Sequence, residues 1–250
     1  MTTHLVIPDP HAHFQHKNDR ADWLSKLILD VQPDVVINLG DQFDLPSLSS
    51  YDKGKKSFVG RTYQQDLEAG LEFSERLWEP IKRRKKKMPE RYFLIGNHEE
   101  RIHRAVELSP ELEGTIGYED LNLSRYYDHV VPYSGHTPSS VIVDGIEYAH
   151  YITGISGRPI ATEHTGFTLL SKRYKSVTVG HNHLFNYSVR NSGSRNIHGL
   201  SAGCFFDYQS DWAGEANRLY NRGVVIKRNV SEGDYDLQWI SIDALRKEYG

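Results

Sequence analysis

The chain has 250 residues, a net charge of −3 and a pI near 6.5, with 38% hydrophobic and 25% charged residues. This composition is typical of a globular protein, and no apolar stretch approaches the roughly 20 residues that a membrane-spanning helix needs. With one cysteine, Cys204, and no signal-like N-terminal segment, we expect a cytoplasmic protein without an internal disulfide or a thiolate metal cluster.

The first half of the sequence predicts two consecutive βαβ units. Continuous apolar runs at residues 4–8, 35–39 and 91–95 are typical of buried parallel strands. Between them, apolar residues recur at helical spacing along residues 21–31 and 62–87. Strands that alternate with amphipathic helices in this way favour a parallel sheet.

The second half predicts shorter elements. They are helices at residues 99–108 and 160–174, a hairpin at 141–148, and strands at 176–179, 224–227 and 236–242. The hairpin is indicated by the pair Asp144-Gly145, which favours a tight two-residue turn. No linker interrupts the pattern, so we expect one α/β domain over residues 1–250.

Polar clusters follow five of the predicted strands. In chain order they are Asp9-Pro10-His11, Gly40-Asp41-Gln42-Phe43-Asp44, Gly96-Asn97-His98-Glu99, His150 and Gly180-His181-Asn182-His183. Ligands of open α/β sheets bind at the carboxyl ends of strands, so these clusters are candidates for one site. Carboxylate, imidazole and amide ligands together suit Mn, Fe or Zn rather than calcium, which prefers oxygen alone.

These five blocks, in this order, resemble the calcineurin-like metallophosphoesterase family, whose pattern is D-x-H, G-D-x-x-D, G-N-H-[ED], H and G-H-x-H. The resemblance spans residues 9–183, and the compact chain is similar to small bacterial and phage members. It implies a sandwich of two mixed β-sheets flanked by helices, with a dinuclear metal site at the carboxyl ends of the strands.

The resemblance also implies a role for each motif residue. One metal ion would be held by Asp9, His11, Asp41 and His183, and the other by Asp41, Asn97, His150 and His181. His98 would face the leaving-group oxygen as a general acid or charge stabiliser, and Asp44 would hydrogen-bond the other nitrogen of that ring.

The implied reaction is attack of a metal-bridging hydroxide on the phosphorus of a phosphoester, with two divalent ions as cofactors. Manganese is the metal we expect first, with Fe, Zn, Ni or Co as alternatives. The family's serine/threonine phosphatases carry an arginine after the second aspartate of the second block, where this chain has Leu45. This difference argues against a protein phosphatase of that type.

Basic residues interleaved with aromatic ones follow the second block directly. Lys53, Lys55, Lys56 and Arg61 lie near Tyr51, Phe58 and Tyr63, a combination that suits a phosphodiester chain or a nucleotide. We therefore expect a phosphodiesterase or nuclease acting on nucleic acid or nucleotide. The alternatives are a phosphomonoesterase acting on a small molecule or protein and, third, a non-catalytic binding module.

Several residues near the blocks allow two interpretations. We expect His13 and His16 to lie in a solvated loop rather than to contact substrate, and Glu99 to cap a helix rather than support the site. Arg101 and Arg104 are expected to form surface ion pairs, with contact to a substrate phosphate as the alternative. The basic run at residues 82–87 is expected to complement a helix dipole. Tyr126, Tyr127 and Tyr133 either stack on substrate or belong to the core, and Cys204 is expected to be a packed residue.

Overall fold

Two β-sheets lie face to face at the centre of the protein. The structure, a computed structural model, describes residues 1–84 and 87–250, apart from the side chains of residues 211 and 212. The strands are β1 (Thr2–Ile7), β2 (Val35–Asn38), β3 (Glu90–Leu94), β4 (His129–Val131), β5 (Tyr133–Ser134), β6 (Thr137–Pro138), β7 (Ser140–Val143), β8 (Ile146–Ala149), β9 (Ser176–Val179), β10 (Phe185–Asn191), β11 (Asn196–Ala202), β12 (Gly223–Ser231) and β13 (Asp234–Ser241).

Both large sheets are mixed. One has the strand order β13-β12-β1-β2-β3-β4, the other has the order β10-β11-β9-β8-β7, and β5 pairs with β6. β1 to β4 run parallel, whereas β12 runs antiparallel to β1. The helices are α1 (Asp19–Val31), α2 (Tyr63–Arg84), α3 (Arg101–Leu108), α4 (Thr165–Arg173) and α5 (Ile242–Tyr249). The predicted mixed α/β sandwich flanked by helices is confirmed.

Side chains alternate between two apolar layers along the central strands. Leu5 and Ile7 of β1 pack towards α1, α2 and α5 in one core cluster. Val6, together with Ile37 of β2, packs against residues of the second sheet such as Ile146. Because both faces of these strands are buried, their sequences are apolar without interruption.

The predicted βαβ units and the hairpin are confirmed. β1, β2 and β3 pair in parallel, and α1 and α2 are the helices that connect them. The described part of α2 extends to Arg84, and residues 85–86 of the predicted basic run lie outside the described residues. The hairpin turn has φ of 48° at Asp144 and 82° at Gly145. Such left-handed pairs match the twist of the two strands that they join.

Three features differ from the prediction. α4 begins at Thr165 rather than at residue 160, because Thr165 exchanges two hydrogen bonds with Thr162 and holds the preceding residues in a turn. Strands β10 and β11 were not predicted, since the polar residues of β10 and Gly199 of β11 obscure their pattern. The final prediction of a strand up to residue 242 is wrong at its end, where α5 begins.

Within the described residues, no helix is both long enough and apolar enough to span a membrane.

Candidate metal centre

The polar blocks of the sequence converge at one edge of the sandwich. Asp9, Asp41 and Asn97 follow three neighbouring parallel strands of the first sheet, β1, β2 and β3. His150 and His181 follow β8 and β9, which are neighbours in the second sheet. The packing of the two sheets therefore brings together residues that are more than 170 positions apart.

The backbone of this site is held in an unusual conformation. Five of the residues have positive φ: Asp9 (38°), His11 (41°), Asp41 (51°), His181 (72°) and His183 (60°). A residue other than glycine costs about 1–3 kcal/mol in such a conformation, and such strain clusters at functional sites. The packing of the surrounding fold must therefore compensate for several kilocalories per mole of backbone strain. In return, these five side chains point into the site.

Two glycines allow the close approach of the aspartates. A Cβ atom at Gly96 would lie 2.2 Å from Asp41 Oδ1, and one at Gly180 would lie 2.3 Å from Asp9 Oδ1. Any side chain at either position would displace a carboxylate. The glycines of the third and fifth blocks are thus required by the packing of the site.

The first cluster of potential ligands comprises Asp9, His11 and His183. His183 Nε2 lies 3.3 Å from Asp9 Oδ2 and 3.1 Å from His11 Nε2. His11 Nδ1 donates to Asp44 Oδ1 at 2.8 Å, so its Nε2 carries a lone pair. Asp9 Oδ1 is buried and has no hydrogen-bond partner among the described residues. The lone pair of His11 Nε2 and the unpaired Asp9 Oδ1 fit a bound cation.

The second cluster comprises Asp41, Asn97, His150 and His181. His150 Nδ1 donates to the Leu39 carbonyl at 2.8 Å, which leaves Nε2 facing Asn97 Oδ1 at 3.0 Å and Asp41 Oδ2 at 3.3 Å. His181 Nδ1 lies 2.7 Å from the same Asn97 oxygen. The nitrogen and oxygen donors here suit Mn, Fe or Zn, as in the first cluster.

Asp41 connects the two clusters. Its Oδ2 lies 3.3 Å from His150 Nε2 and 4.0 Å from His11 Nε2, while Oδ1 accepts a hydrogen bond from the His98 amide at 2.8 Å. One oxygen of a single carboxylate thus lies next to ligand atoms of both clusters. Burial opposes its ionisation, yet the neighbouring His150 and His98 hold the pKa of Asp41 well below its usual value.

The electrostatics of the site suit metal ligation. Burial lowers the pKa of His181 and of His183 to about 3, so both rings stay neutral and keep the lone pair that a metal ion requires. Burial also raises the pKa of Asp9 to about 7. At His150 burial opposes protonation, but Asp41 and Asp9 raise the pKa to about 9. The negative charges of Asp41 and Asp9, which favour a proton on His150, would equally attract a divalent cation.

Asp44 positions two histidines rather than one. Its Oδ1 lies 2.8 Å from His11 Nδ1 and 3.0 Å from His98 Nδ1. Although burial opposes ionisation, these hydrogen bonds hold the pKa of Asp44 well below its usual value. The sequence predicted the contact with His98, and the structure brings those two side chains together. The contact with His11 was missed, because spacing along the chain does not reveal it.

The carboxylate of Glu99 supports the loops of the site. It accepts hydrogen bonds from the backbone amides of Asp41 at 2.9 Å, Phe43 at 2.8 Å and Gly96 at 2.9 Å. The expectation that Glu99 caps a helix is wrong, because α3 begins at Arg101 and the carboxylate is turned towards these amides. Glu99 joins the loop that carries Asp41 to the loop that carries Asn97 and His98.

The rim of the site contains the two histidines that follow the first block. The ring of His16 stacks on Tyr208 with centroids 3.9 Å apart, and His13 Nε2 lies 3.9 Å from Asp44 Oδ2. Tyr208 in turn donates to the His11 carbonyl at 2.9 Å. The expectation of a solvated loop is wrong, since both rings pack against residues of the site.

Residues beyond the last block form an aromatic wall that sequence reasoning missed. Phe206 lies with its ring centroid 5.2 Å from that of His11 and 5.3 Å from that of His183. Tyr220 packs edge-on against His183 at 4.7 Å. The pair Phe205-Phe206 follows the end of β11 after two residues, Gly203 and Cys204. Identifying that strand would have been the signal for this wall.

The remaining tyrosines and the cysteine that the sequence singled out differ in their distance from the site, and Tyr133 lies near it through Tyr151, whose ring centroid is 4.8 Å from that of His181. Tyr126 and Tyr127 are buried in the core between α2 and the first sheet, whereas Tyr133 is half-buried with its hydroxyl 3.5 Å from that of Tyr151. Cys204 is fully buried, and burial raises the pKa of its thiol. Cys204 is therefore a packed residue, as expected.

Comparison with known proteins was made for the sequence and for the fold. The calcineurin-like phosphoesterase family matches residues 3–217. No curated protein matched the sequence. A solved structure of a protein described as a novel archaeal phosphodiesterase has 10% identity and a TM-score of 0.43, covering 95% of this chain and 99% of that chain. A second solved structure has 10% identity and a TM-score of 0.44, covering 96% and 99%.

The family match includes all five polar blocks, from Asp9 to His183, as well as the aromatic wall at Phe206. The family consists of hydrolases of phosphoric esters that depend on two metal ions, which agrees with the two ligand clusters joined by Asp41. The chain belongs to the calcineurin-like phosphoesterase family and is a metal-dependent phosphoric ester hydrolase.

Proposed function

We propose that the protein is a phosphodiesterase that uses two divalent metal ions, manganese first among them, to cleave a nucleic acid or nucleotide. The observation that carries this proposal is the position of Asp41 Oδ2 next to donor atoms of both ligand clusters. A carboxylate in that position can bridge two cations. Two adjacent cations supply an activated water and stabilise charge on the phosphoryl oxygens.

The residues of the chain divide into two ligand sets. Asp9, His11, Asp41 and His183 would hold one ion, and Asp41, Asn97, His150 and His181 would hold the other. His98 would act on the leaving-group oxygen, because Asp44 holds its Nδ1 while its Nε2 lies 3.9 Å from Asp41 Oδ2. The same Nε2 lies 3.2 Å from Arg101 Nη2, a contact that the ring would exchange for the leaving group when it donates a proton. Asp44 would also stabilise the positive charge on that ring.

The exposed residues of the loop that follows Asp44 favour a polyanionic substrate. Lys53, Lys55 and Lys56 are exposed there, and Tyr51 exposes 81% of its side chain. Arg61 and Lys55 are paired with Asp52 at 2.7 and 3.5 Å and therefore contribute less free charge than Lys53 and Lys56. Exposed lysines beside an exposed tyrosine suit the backbone and bases of a single strand.

A phosphomonoesterase is the second candidate. Leu45, at the place where the family's serine/threonine phosphatases carry arginine, is fully buried. The side chain at this position therefore offers no cation to a dianionic monoester, and this favours the diester. A non-catalytic binding module is the third candidate, against which the paired Asp44 and His98 argue.

The test is a metal-dependent activity screen. Purified protein is stripped of metal, reloaded with Mn²⁺, and assayed with bis-p-nitrophenyl phosphate, p-nitrophenyl phosphate and single-stranded DNA. We expect hydrolysis of the diester and of DNA only when metal is present, and slower release from the monoester. Failure to cleave either diester with any of Mn, Fe, Zn, Ni or Co would refute the proposal. A preference for the monoester would favour the second candidate.

A further inference from the structure

Two arginines lie one helical turn apart at the start of α3, immediately after the block that contains Asn97 and His98. Arg101 Nη1 donates to the carbonyl of Asp44 at 2.7 Å and to that of Leu45 at 3.2 Å. These contacts fix its guanidinium group beside the loop that follows β2. Arg101 is half-buried, so this anchoring is not that of a free surface side chain.

The other end of the Arg101 guanidinium faces the site. Its Nη2 lies 3.2 Å from His98 Nε2. His98 Nδ1 donates to the Asp44 carbonyl at 2.8 Å, so in the neutral ring Nε2 is the acceptor and Arg101 is the donor. Since His98 Nε2 is 3.9 Å from Asp41 Oδ2, the guanidinium lies only one side chain away from the carboxylate shared by the two ligand clusters.

Arg104 approaches the same block from the outside. Its Nη2 donates to the carbonyl of Asn97, and the side chain is exposed. The two guanidinium groups therefore contact the backbone or side chain of two consecutive residues, Asn97 and His98. Their positive charges lie at the edge of the candidate metal centre.

Neither guanidinium group forms a salt bridge among the described residues, although the carboxylates of Asp44, Asp41 and Asp66 act on the charge of Arg101 from a longer distance. Among the described residues, no carboxylate oxygen lies within 4.0 Å of Arg101 or Arg104. Other arginines of the chain differ in this respect: Arg76 lies 2.7 Å from Asp19, and Arg173 is paired with Glu147. Carbonyl groups satisfy hydrogen-bond donors without removing charge, and a guanidinium group is always charged. The expectation of surface ion pairs for Arg101 and Arg104 is therefore wrong.

We propose that Arg101 and Arg104 bind a second phosphate of the substrate, adjacent to the phosphate that is cleaved. Guanidinium groups favour phosphate because their planar donors match its oxygens in pairs. The inference rests on the proposed function and narrows its substrate class. The preferred substrate is a phosphodiester with a flanking phosphate, from an oligonucleotide backbone or a nucleoside polyphosphate, rather than an isolated diester.

The test compares two substrates that differ by one phosphate. These are the p-nitrophenyl ester of thymidine 5′-phosphate and the same ester carrying an additional 3′-phosphate, assayed with manganese-loaded protein. We expect the 3′-phosphate to raise kcat/KM at least about tenfold, as charge-assisted hydrogen bonds would produce. Equal kcat/KM values would overturn the inference while leaving the proposed function intact, whereas no release from either ester would refute the proposed function.

Variants assign the preference to the arginines. In Arg101→Met and Arg104→Met the ratio of the two kcat/KM values is expected to fall towards one, with Arg101→Lys intermediate because it keeps only a point charge. Arg218→Met, an exposed arginine paired with Glu215, is the matched control and should keep the wild-type ratio. If Arg101→Met does not fold, the ratio of the two kcat/KM values is measured in Arg104→Met alone, because this exposed side chain can be replaced without disturbing the core. An unchanged ratio in Arg104→Met would then overturn the inference.

Calorimetry gives a readout that does not depend on turnover. Thymidine 3′,5′-bisphosphate, inorganic pyrophosphate and thymidine 5′-monophosphate are titrated into the metal-loaded protein. Tighter binding of the bisphosphate than of the monophosphate would identify an oligonucleotide backbone as the source of the second phosphate, and tighter binding of pyrophosphate would identify a polyphosphate. If neither binds more tightly than the monophosphate, or if Arg104→Met keeps the preference, the inference is wrong.

Discussion

Histidine and aspartate side chains gather at two places between the sheets, the candidate metal centre and a cluster around Lys227. In this Lys227 cluster, Lys227 Nζ donates to Thr178 Oγ1 at 2.5 Å and to Tyr148 Oη at 3.3 Å. The Tyr148 hydroxyl then donates to His4 Nδ1 at 2.8 Å, and His4 Nε2 donates to Asp144 at 3.0 Å. The polar groups of Lys227, Tyr148 and His4 thus each have a hydrogen-bond partner, whereas the buried hydroxyl of the neighbouring Tyr235 has none among the described residues.

A second chain of the same kind lies nearby. His198 Nδ1 is 2.6 Å from the Tyr187 hydroxyl, its Nε2 is 2.6 Å from Asp234 Oδ1, and its ring stacks on Tyr235. Lys227 lies over the rings of Tyr148 and Tyr235 at 4.4 and 4.5 Å. These polar groups link β12 and β13 to the second sheet and need no ligand.

The metal centre is organised differently, although it uses the same residue types. There the bare Nε2 of His11 faces His183 Nε2, the single Asn97 oxygen lies within 3.0 Å of both His150 Nε2 and His181 Nδ1, and the buried Asp9 Oδ1 has no hydrogen-bond partner among the described residues. Five residues of the metal centre have positive φ, whereas His4 and His198 lie within strands and the positive φ of the Lys227 cluster, 48° at Asp144, belongs to a hairpin turn. A buried acceptor without a donor, such as Asp9 Oδ1, therefore distinguishes the candidate metal centre from the hydrogen-bonded Lys227 cluster better than the number of histidines does.

The largest expected effect concerns the shared carboxylate. Asp41→Asn should lower kcat/KM for bis-p-nitrophenyl phosphate at least about 1,000-fold, because a neutral amide cannot bridge two cations and several kilocalories of charge stabilisation are lost. Asp144→Asn, in the Lys227 cluster, is the matched control and should retain activity. Similar losses in the two variants would remove the distinction between the two regions.

The next effect depends on the leaving group. His98→Ala should slow cleavage of a dinucleotide, whose alkoxide leaves poorly, about 100-fold or more, and that of a p-nitrophenyl ester much less. The control is His129→Ala, an exposed histidine of β4. Kinetics on the two esters test the role of His98, and an equal loss on both would contradict it.

A smaller effect is expected at Glu99. Glu99→Gln places an amide NH₂ among three backbone N–H donors, so the loops of Asp41 and Asn97 should shift and metal affinity should fall about 10–100-fold. Glu100→Gln, one residue further on, is the control, because its carboxylate accepts from the Tyr118 hydroxyl instead. Manganese titration calorimetry measures both, and unchanged affinity in Glu99→Gln would exclude a positioning role.

The smallest expected effect concerns the contribution of the Lys227 cluster to the free energy of unfolding. Burial holds the pKa of Lys227 well below its usual value, so below about pH 10 the unfolded state binds a proton that the folded state releases. The free energy of unfolding of the wild type, relative to that of Lys227→Met, should therefore rise as the pH increases towards about 10, by up to about 1.4 kcal/mol per pH unit. Lys227→Met should remove this slope, and the exposed Lys172→Met should keep it. Urea unfolding at several pH values measures the slope, and parallel curves for wild type and Lys227→Met would contradict the prediction.

Much of the fold and of the site followed from the sequence. The apolar runs before Asp9, Asp41 and Asn97 predict parallel strands, and parallel strands bring their carboxyl ends to one edge. That reasoning identified the residues that the structure assembles into the two clusters. Their roles as ligands stay predictions until a metal is measured.

What sequence could not predict depends on contacts made in three dimensions. Glu99 and Asp44 reach across loops to amides and rings that no spacing rule relates. The packing of His16 on Tyr208, which lies almost 200 residues away, depends on how the chain returns after β11. Likewise, the absence of a salt bridge at Arg101 and Arg104 became apparent only from the packing of the described residues around α3.

We infer that Asp41 joins two metal positions. The metal stoichiometry of the active protein tests this inference most directly. Metal-free protein is titrated with Mn²⁺ while binding and hydrolysis of bis-p-nitrophenyl phosphate are followed together. We expect two ions per chain in the wild type, with activity that appears as the second ion binds. Full activity with a single bound ion, or two ions bound equally well by Asp41→Asn, would contradict it.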